Sequence, residues 1–552
     1  MCEKSGEDDE NFAGIRRRLL RHLTANSDVT ALSKRFGLLR ENFERVDFVV
    51  DLLEDADVEI ELRSDPKSDE VAAKLREQGN EMYKMKKVKE AWELYTKSIS
   101  YAEEDGVNLA LAYANRSAVL FEVNLHRQCL MDISRALENN YPEHLKPKLF
   151  VREKNSKNLE IEPFEDAHEP VPTVADKNPT IQSAAGCVRV EESEDAGRHV
   201  VASRDIEPGE ILAVEKPFAS LLVNELFSHC HECVSLCYNL IPCKSCTRAL
   251  YCSDGCRERA FETYHKYECP ILATLKHLEF DKLKLLPLKI AFLVKNQYDR
   301  MEDFENGDLY RSDRYNEIHN LITNSSKRSV PDLFERATAA ALLFKLVKEH
   351  TSFFHDSDPH SRKMFKEILL LHMQTGPSNF HQITELTPKS KSVFEPEEVA
   401  SGAFAFLSLL NHSCCPNVTR FCYGSTIVLR AIQSIRKGEQ CLDNYGYHHA
   451  LMPKTERQKY LKSQYYFDCA CAACADDWPL YDALPGTDDV CIDETLLAQL
   501  SSADVGAAEA VLEGALSKLR DSEGSIPSKD FCQIQEVVKQ CFAVFANKRR
   551  MF

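Results

Sequence analysis

Apolar positions recur at helical spacing over residues 10–60, where Leu19, Leu20, His22 and Leu23 mark one face of an otherwise charged stretch. The acidic run 51–61 and the polar run 63–69 break that period and read as a linker, so 1–68 is expected to be an N-terminal helical region with its linker. A second pattern starts at Val71. Ala73, Leu75, Gly79, Asn80, Tyr83, Ala91, Tyr95 and Ile99 recur with helical period, small residues standing where two helices would touch. Residues 111–121 (LAYANRSAVLF) repeat the theme, and Ala136 and Leu137 close the second unit. Helix pairs are therefore expected over 69–155, with a further helix near 145–152; an ordinary amphipathic hairpin would give the same period.

Residues 156–185 read as a linker, with Pro163, Pro170, Pro172 and Pro179 set among charges. From 186 the alternation becomes that of short strands, at 188–190, 197–204 and 211–214, with a turn at Pro208-Gly209. A cysteine-rich module, 230–269, interrupts this β region. Residues 270–395 are expected to be a helical insert, with long apolar faces at 339–347 and 364–373. Strand character returns within 396–450, at 418–421 and 427–431, with a turn at Lys437-Gly438. A short segment, 451–475, follows, and 476–552 is helical without a chemical motif. The fold class is α+β.

A chain of 552 residues exceeds one core, and three or four domains are expected. Lys plus Arg number 69 against 87 Asp plus Glu, a net charge of -18, which repels nucleic-acid backbones and favours basic protein partners. Direct nucleic-acid binding is not expected. The opening MCEKSGEDDE lacks the apolar core of a secretory signal, and no apolar run approaches the roughly 20 residues that span a bilayer. No membrane association is expected. The 21 cysteines cluster in metal-type spacing and are not spread as a disulfide framework, which suits a reducing compartment, cytoplasm or nucleus.

The densest chemistry lies in one stretch: Cys230-x2-Cys233, Cys243-x2-Cys246, Cys252-x3-Cys256 and His265-x3-Cys269. Four pairs of soft ligands, each two or three residues apart, are what two tetrahedral zinc ions require, and no position is left for a reacting water. These ions would be structural. With Tyr251-Cys252-Ser253, the stretch resembles a MYND zinc finger, whose ligands interleave. That resemblance assigns Cys230, Cys233, Cys252 and Cys256 to one ion and Cys243, Cys246, His265 and Cys269 to the other, leaving Cys237 outside.

Asn411-His412-Ser413-Cys414, then Pro416-Asn417, two strands and Asp443-Asn444-Tyr445-Gly446 resemble the catalytic half of a SET methyltransferase domain. Tyr465-Tyr466-Phe467-Asp468-Cys469-x-Cys471-x2-Cys474 is similar to the post-SET segment of that family, and 197–202 with Pro208-Gly209-Glu210 to its first strands. A SET domain split by a MYND finger resembles the SMYD family, of the type that carries N-terminal repeats. The resemblance implies a small knotted β-rich core, with a C-terminal helical lobe that is short here. The activity it implies is protein-lysine N-methyltransfer from S-adenosylmethionine.

Cys469, Cys471 and Cys474 offer three thiolates, one short of a closed zinc site. The resemblance supplies the fourth from Cys414, for three zincs in all; Cys415 is the alternative. Methyl transfer to an amine is an in-line displacement, so the protein must align a neutral amine and exclude water. Tyr445 is the candidate catalytic tyrosine, and Phe467 with Tyr465 would wall the lysine channel or stack near the cofactor. The family register also gives cofactor contacts to Gly197, Arg198, Asn411, His412, Tyr445, Phe467 and Asn379, and to Tyr315, with Tyr310 competing. The family often has glycines where this chain carries Arg198 and His199.

The helix pairs of 69–155 resemble tetratricopeptide (TPR) repeats. Arg76 and Asn80, Asn115, and Lys148 with Arg152 stand where such repeats carry a carboxylate clamp, which grips a chaperone's C-terminal peptide. A set of solvated polar residues is the alternative reading. The MYND resemblance implies a proline-rich peptide partner. Apart from an enzyme acting on a lysine of a protein substrate, the sequence allows a non-catalytic interaction scaffold, possessing repeats and finger over an inactive SET region, as in a transcriptional co-regulator.

Overall fold

The computed structural model describes residues 10–158, 170–300, 309–354, 358–390, 392–486 and 493–549. Helices and short sheets are mixed, with a helical N-terminal region through Asn158. Three helices come first: Phe12–Asn26, Val29–Leu38 and Asn42–Asp55. The third corrects the expected linker at 51–61, because Leu52 and Leu53 are buried and extend the helix through Asp55. A capping box between Glu41 and Glu44 starts it. These helices lie on the insert and share its core; Phe36 packs edge-on against Phe334.

The next four helices, Asp69–Lys84, Val88–Tyr101, Val107–Glu122 and His126–Glu138, pack each on the next. Ser68 caps the first by accepting from Val71 N–H. Gly79 sets the spacing: a Cβ there would meet the Tyr95 ring at 2.6 Å. The last helix, Lys146–Asn158, outruns the expected 145–152 and takes residues assigned to the linker. Pro163 lies outside the described residues.

This arm is fastened to the cysteine-rich module by three consecutive carbonyls. Tyr238 O accepts from Trp92 Nε1 (2.7 Å), Asn239 O from Arg135 Nη1 (2.6 Å) and Leu240 O from Arg116 Nη2 (2.9 Å). Arg116 is fully buried and paired with the equally buried Asp132, Nε to Oδ2 at 2.7 Å. An isolated charge there would be costly, so the pair and the carbonyl act as one unit.

The β region holds Val188–Ser193 paired with Gly197–Ala202, and Ile211–Glu215 on the edge of the hairpin formed by Val418–Tyr423 and Thr426–Ala431. Asn411–His412 pairs in parallel with Leu442–Asp443. The insert is helical only to Asn379, which corrects the expected boundary at 395. Residues 380–403 form a long hairpin, Phe380–Ser390 with Val393–Ala403, flanked by the strand Ala219–Leu222. Its first strand alternates, Ile383, Glu385 and Thr387 being buried, a period of two directly behind an apolar helix.

Of the tail helices, Val505–Asp521 and Lys529–Val544 pack on the 418–431 hairpin, with Phe542 against Phe421 and Leu519 and Phe531 beside Val428, and Glu494–Ser501 packs beside Val393–Ala403. No helix among the described residues is long and apolar enough to cross a membrane.

Candidate active site and metal centres

Three groups of four ligand atoms lie within 4.8 Å of one another: Cys230, Cys233, Cys252, Cys256; Cys243, Cys246, His265, Cys269; and Cys414, Cys469, Cys471, Cys474. Each could hold a metal ion. A tetrahedral zinc with Zn–S bonds of about 2.3 Å spaces its sulfurs by about 3.8 Å. The Sγ atoms of Cys233 and Cys252 are 3.7 Å apart, those of Cys243 and Cys269 3.9 Å, and those of Cys414 and Cys474 3.5 Å. Such spacing is far too long for disulfides and matches the edge of that tetrahedron.

Local structure produces the interleaving. Ser253 caps the helix Asp254–Ala260 through Cys256 N–H, presenting Cys252 and Cys256 together. A π-helical turn, Phe261–His265, then re-phases the chain. His265 Nε2 comes 3.3 Å from Cys243 Sγ, while its Nδ1 lies 2.7 Å from Glu268 Oε2. That carboxylate fixes the ring with Nε2 facing the thiolates. Sequence spacing singled out the eight residues and missed this support. Cys237 stands apart, its thiol on Asn239 Oδ1, and Cys415 is bonded by Gln433.

A second arrangement is gathered from across the chain. Asn411 Nδ2 donates to Ala196 O (3.1 Å), next to Gly197, whose φ of +61° suits glycine and whose missing Cβ would meet nothing within 4 Å. Arg198 Nη2 reaches Asn320 O (2.6 Å), and Asn379 Nδ2 reaches Ile322 O (2.9 Å). Arg328 Nη1 lies 3.2 Å from the Tyr466 hydroxyl, beside Phe467. These links join Gly197, Arg198, Asn379, Asn411 and Phe467 into one rim. His412 and Tyr445 stand within it: Tyr445 N–H donates to His412 Nδ1 (3.1 Å), the two rings are 5.1 Å apart, and Phe467 is 6.2 Å from His412. Burial pushes His412 down to about 4, which keeps this acceptor neutral. The bulk of His199, in doubt from the sequence, is buried, with Nδ1 2.8 Å from Gly197 O.

Tyr315 does not join the rim, against expectation. It is 1% exposed, its hydroxyl lies 2.9 Å from His372 Nε2 and its ring packs on Phe218, so it serves the insert core. Tyr310 likewise donates its hydroxyl to Ala405 O.

The Tyr445 hydroxyl donates to Leu410 O at 2.6 Å, and its ring lies 4.6 Å from Tyr465. Burial, and then Asp443, push its pKa upward, so it stays a neutral donor. The cluster with Cys414 abuts this pair, and Arg457 donates to Cys474 Sγ. Beyond lies a groove of about 900 Å³ between the sheet and the tail, lined by Arg420, Asp443, Asn444, His448, Leu451, Glu536 and Lys539. Arg420 and Asp443 form an ion pair on its floor. The tail residues of this groove had no signature in the sequence.

In the arm, Asn115 Nδ2 donates to Asn80 Oδ1 (2.8 Å), which also accepts from the Tyr95 hydroxyl (2.9 Å). The charges of Arg76 and Arg152 both bear on Tyr95. Arg152 Nη1 is held by Ala114 O and Ser117 Oγ, and Lys148 is exposed. Four of the five expected clamp residues are thus gathered on one side of the arm.

A model of the SET domain matches residues 197–446, and the chain is a SET-domain protein. Among curated proteins it is similar to zebrafish protein-lysine N-methyltransferase SMYD4, 28% identical over 538 residues, covering 81% of this chain and 71% of that protein. To human SMYD4 it is 27% identical, covering 72% and 66%, and to human N-lysine methyltransferase SMYD2 26% identical, covering 51% and 59%. The chain is thus similar over most of its length to SET-domain proteins of the SMYD family.

Proposed function

We propose that this protein is an S-adenosylmethionine-dependent protein-lysine N-methyltransferase. The observation that carries the reading is Tyr445, a half-buried tyrosine whose neutral hydroxyl is fixed on Leu410 O inside the Asn411–His412 rim and beside Tyr465. The rim suits a cofactor with amino-acid, sulfonium and adenine parts: it offers an open backbone at Gly197, the side chains of Asn379 and Asn411, and the rings of His412, Tyr445 and Phe467. When bound, S-adenosylmethionine supplies a methyl group on a sulfonium already activated for departure.

The chain's own residues do the rest. The target lysine has a solution pKa of about 10.4 and must arrive neutral. The aromatic wall of Tyr445, Tyr465 and Phe467 disfavours the ammonium form by desolvation. The Tyr445 hydroxyl orients the amine lone pair, and the groove over Arg420 and Asp443 carries the substrate backbone. Cys414 with Cys469, Cys471 and Cys474 would hold one zinc, tying the post-SET segment over the threaded SET core, and the finger would hold two.

The arm is proposed to be a TPR pair whose Arg76, Asn80, Asn115, Lys148 and Arg152 receive a chaperone C-terminal carboxylate, and the finger to take a proline-containing peptide. Cytoplasm and nucleus suit a reduced, metal-loaded finger. Calorimetry with S-adenosylmethionine tests the enzyme reading. Micromolar binding supports it; no binding by a folded, zinc-loaded sample favours the scaffold, in which repeats and finger recruit partners for a transcriptional co-regulator.

A further inference from the structure

The segment joining the N-terminal helices to the arm is held on the finger as a ligand would be. Pro66 forms an antiparallel bridge with Cys246. The residue before a proline is pushed to extended backbone, and proline lacks an N–H, so Asp65-Pro66 is suited to lie along a strand edge. The Asp65 carboxylate accepts from three donors: Thr247 Oγ1 (2.8 Å), Arg248 Nη2 (2.9 Å) and the Tyr101 hydroxyl (3.3 Å). Lys67 is drawn to Ser100 O (2.7 Å), and Arg63 N–H to Thr274 Oγ1 (2.9 Å).

The contact leaves space. A cavity of about 310 Å³ opens beside Pro66, lined by Arg63, Arg248, Lys266, Leu272 and the half-exposed ring of Phe261. Arg248 Nε is buried there with no hydrogen-bond partner among the described residues. Arg63 is already ion-paired with Glu10 and Glu61, so Arg248, with its unpartnered Nε, and Lys266 are the cations beside the apolar ring that suit a ligand carrying a carboxylate.

We propose that the Cys246–Arg248 edge of the finger is a peptide-binding face occupied in cis by Asp65-Pro66, and that its partners are peptides carrying a carboxylate immediately before proline. The proposal rests on the reading of the finger as a peptide binder and names the ligand chemistry and the competitor. A segment tethered at both ends acts at millimolar effective concentration, so an outside peptide of equal intrinsic affinity is shut out.

The test uses the full chain and a fluorescent peptide of residues 61–69 (ELRSDPKSD), read by anisotropy, with far-ultraviolet circular dichroism and thermal melting to confirm folding. The double substitution Asp65→Ala, Pro66→Gly frees the face without touching a finger residue. It is expected to bind the peptide at least tenfold more tightly than wild type does, and adding Arg248→Ala should abolish the gain. A milder variant, Pro66→Ala alone, should give a smaller gain in the same direction if the double variant is unstable. Equal binding by wild type and both opened variants overturns the cis occupancy while leaving the finger a peptide binder. Binding by none of these folded proteins overturns both. A peptide with Asn in place of Asp that binds as well as the original removes the carboxylate from the recognition.

Discussion

The cysteine-rich finger and the rim around His412 and Tyr445 are built in opposite ways. The finger takes eight ligands from residues 230–269, and each pair sits on one turn of chain. The rim takes Gly197 and Arg198 from the strand Gly197–Ala202, Asn379 from a helix end, Asn411 and His412 from a two-residue strand, and Phe467 from the segment just before Cys469. The cluster of Cys414 with Cys469, Cys471 and Cys474 falls between: three residues are local and one comes from just after the Asn411–His412 strand. A metal site can be written into local spacing because two or three residues suffice to place two thiolates. A cofactor cleft cannot, because its partners meet only after the sheet and insert have packed.

The sharpest way to separate the two regions is Tyr445→Phe. It removes the hydroxyl on Leu410 O and leaves every cysteine in place. Turnover is expected to fall by about 10²- to 10⁴-fold, with cofactor binding and metal content unchanged. Near-wild-type turnover would take Tyr445 out of the mechanism. The pH profile gives a second reading of the same residue. Burial raises its pKa above the usual tyrosine value of about 10, so no alkaline loss of activity assignable to Tyr445 should occur below about pH 10.

Cutting the arm from the finger is expected to act on stability. Arg116→Ala takes the closer partner from buried Asp132, which keeps only Arg135 Nη1 at 3.1 Å, and frees Leu240 O, so it should cost about 3 kcal/mol in denaturant unfolding, the low end for a broken buried pair. A loss under about 1 kcal/mol would mean the junction relaxes. Gly79→Ala tests packing inside the arm. Tyr95 cannot easily retreat, being 2% exposed and bonded to Asn80, so about 1–3 kcal/mol should be lost. The smallest effect is expected at Arg152→Ala. It should weaken a peptide ending in a free carboxylate by roughly tenfold, the loss of one charge-assisted contact, without changing methyl transfer to a free peptide. Equal binding of free-acid and amidated peptides would reduce the arm to a docking surface.

The contrast also explains what the sequence disclosed. The cysteine pairs of the finger follow from spacing and the helix pairs of the arm from period, whereas Tyr445 and the Asn411–His412 pair were pointed to by the resemblance to a SET domain. Asn320 and Ile322 shape the rim through backbone carbonyls, which leave no trace in residue type. The 380–403 hairpin was hidden because its first strand continues directly from the helix Pro359–Asn379, with Pro377 inside that helix and no break between them. Tyr315 misled because a tyrosine near the expected register suits a buried core as well as a cofactor. The groove residues Glu536 and Lys539 sit on a tail helix whose purpose appears only once it packs on the sheet.

The central claim is methyl transfer to protein lysine, and mass spectrometry of a cell lysate incubated with the purified, zinc-loaded chain and isotopically labelled S-adenosylmethionine tests it most directly. Label on lysine side chains of discrete proteins, absent when Tyr445→Phe replaces the wild type, is the expected result. A folded sample that binds the cofactor and leaves every lysine unlabelled would contradict it.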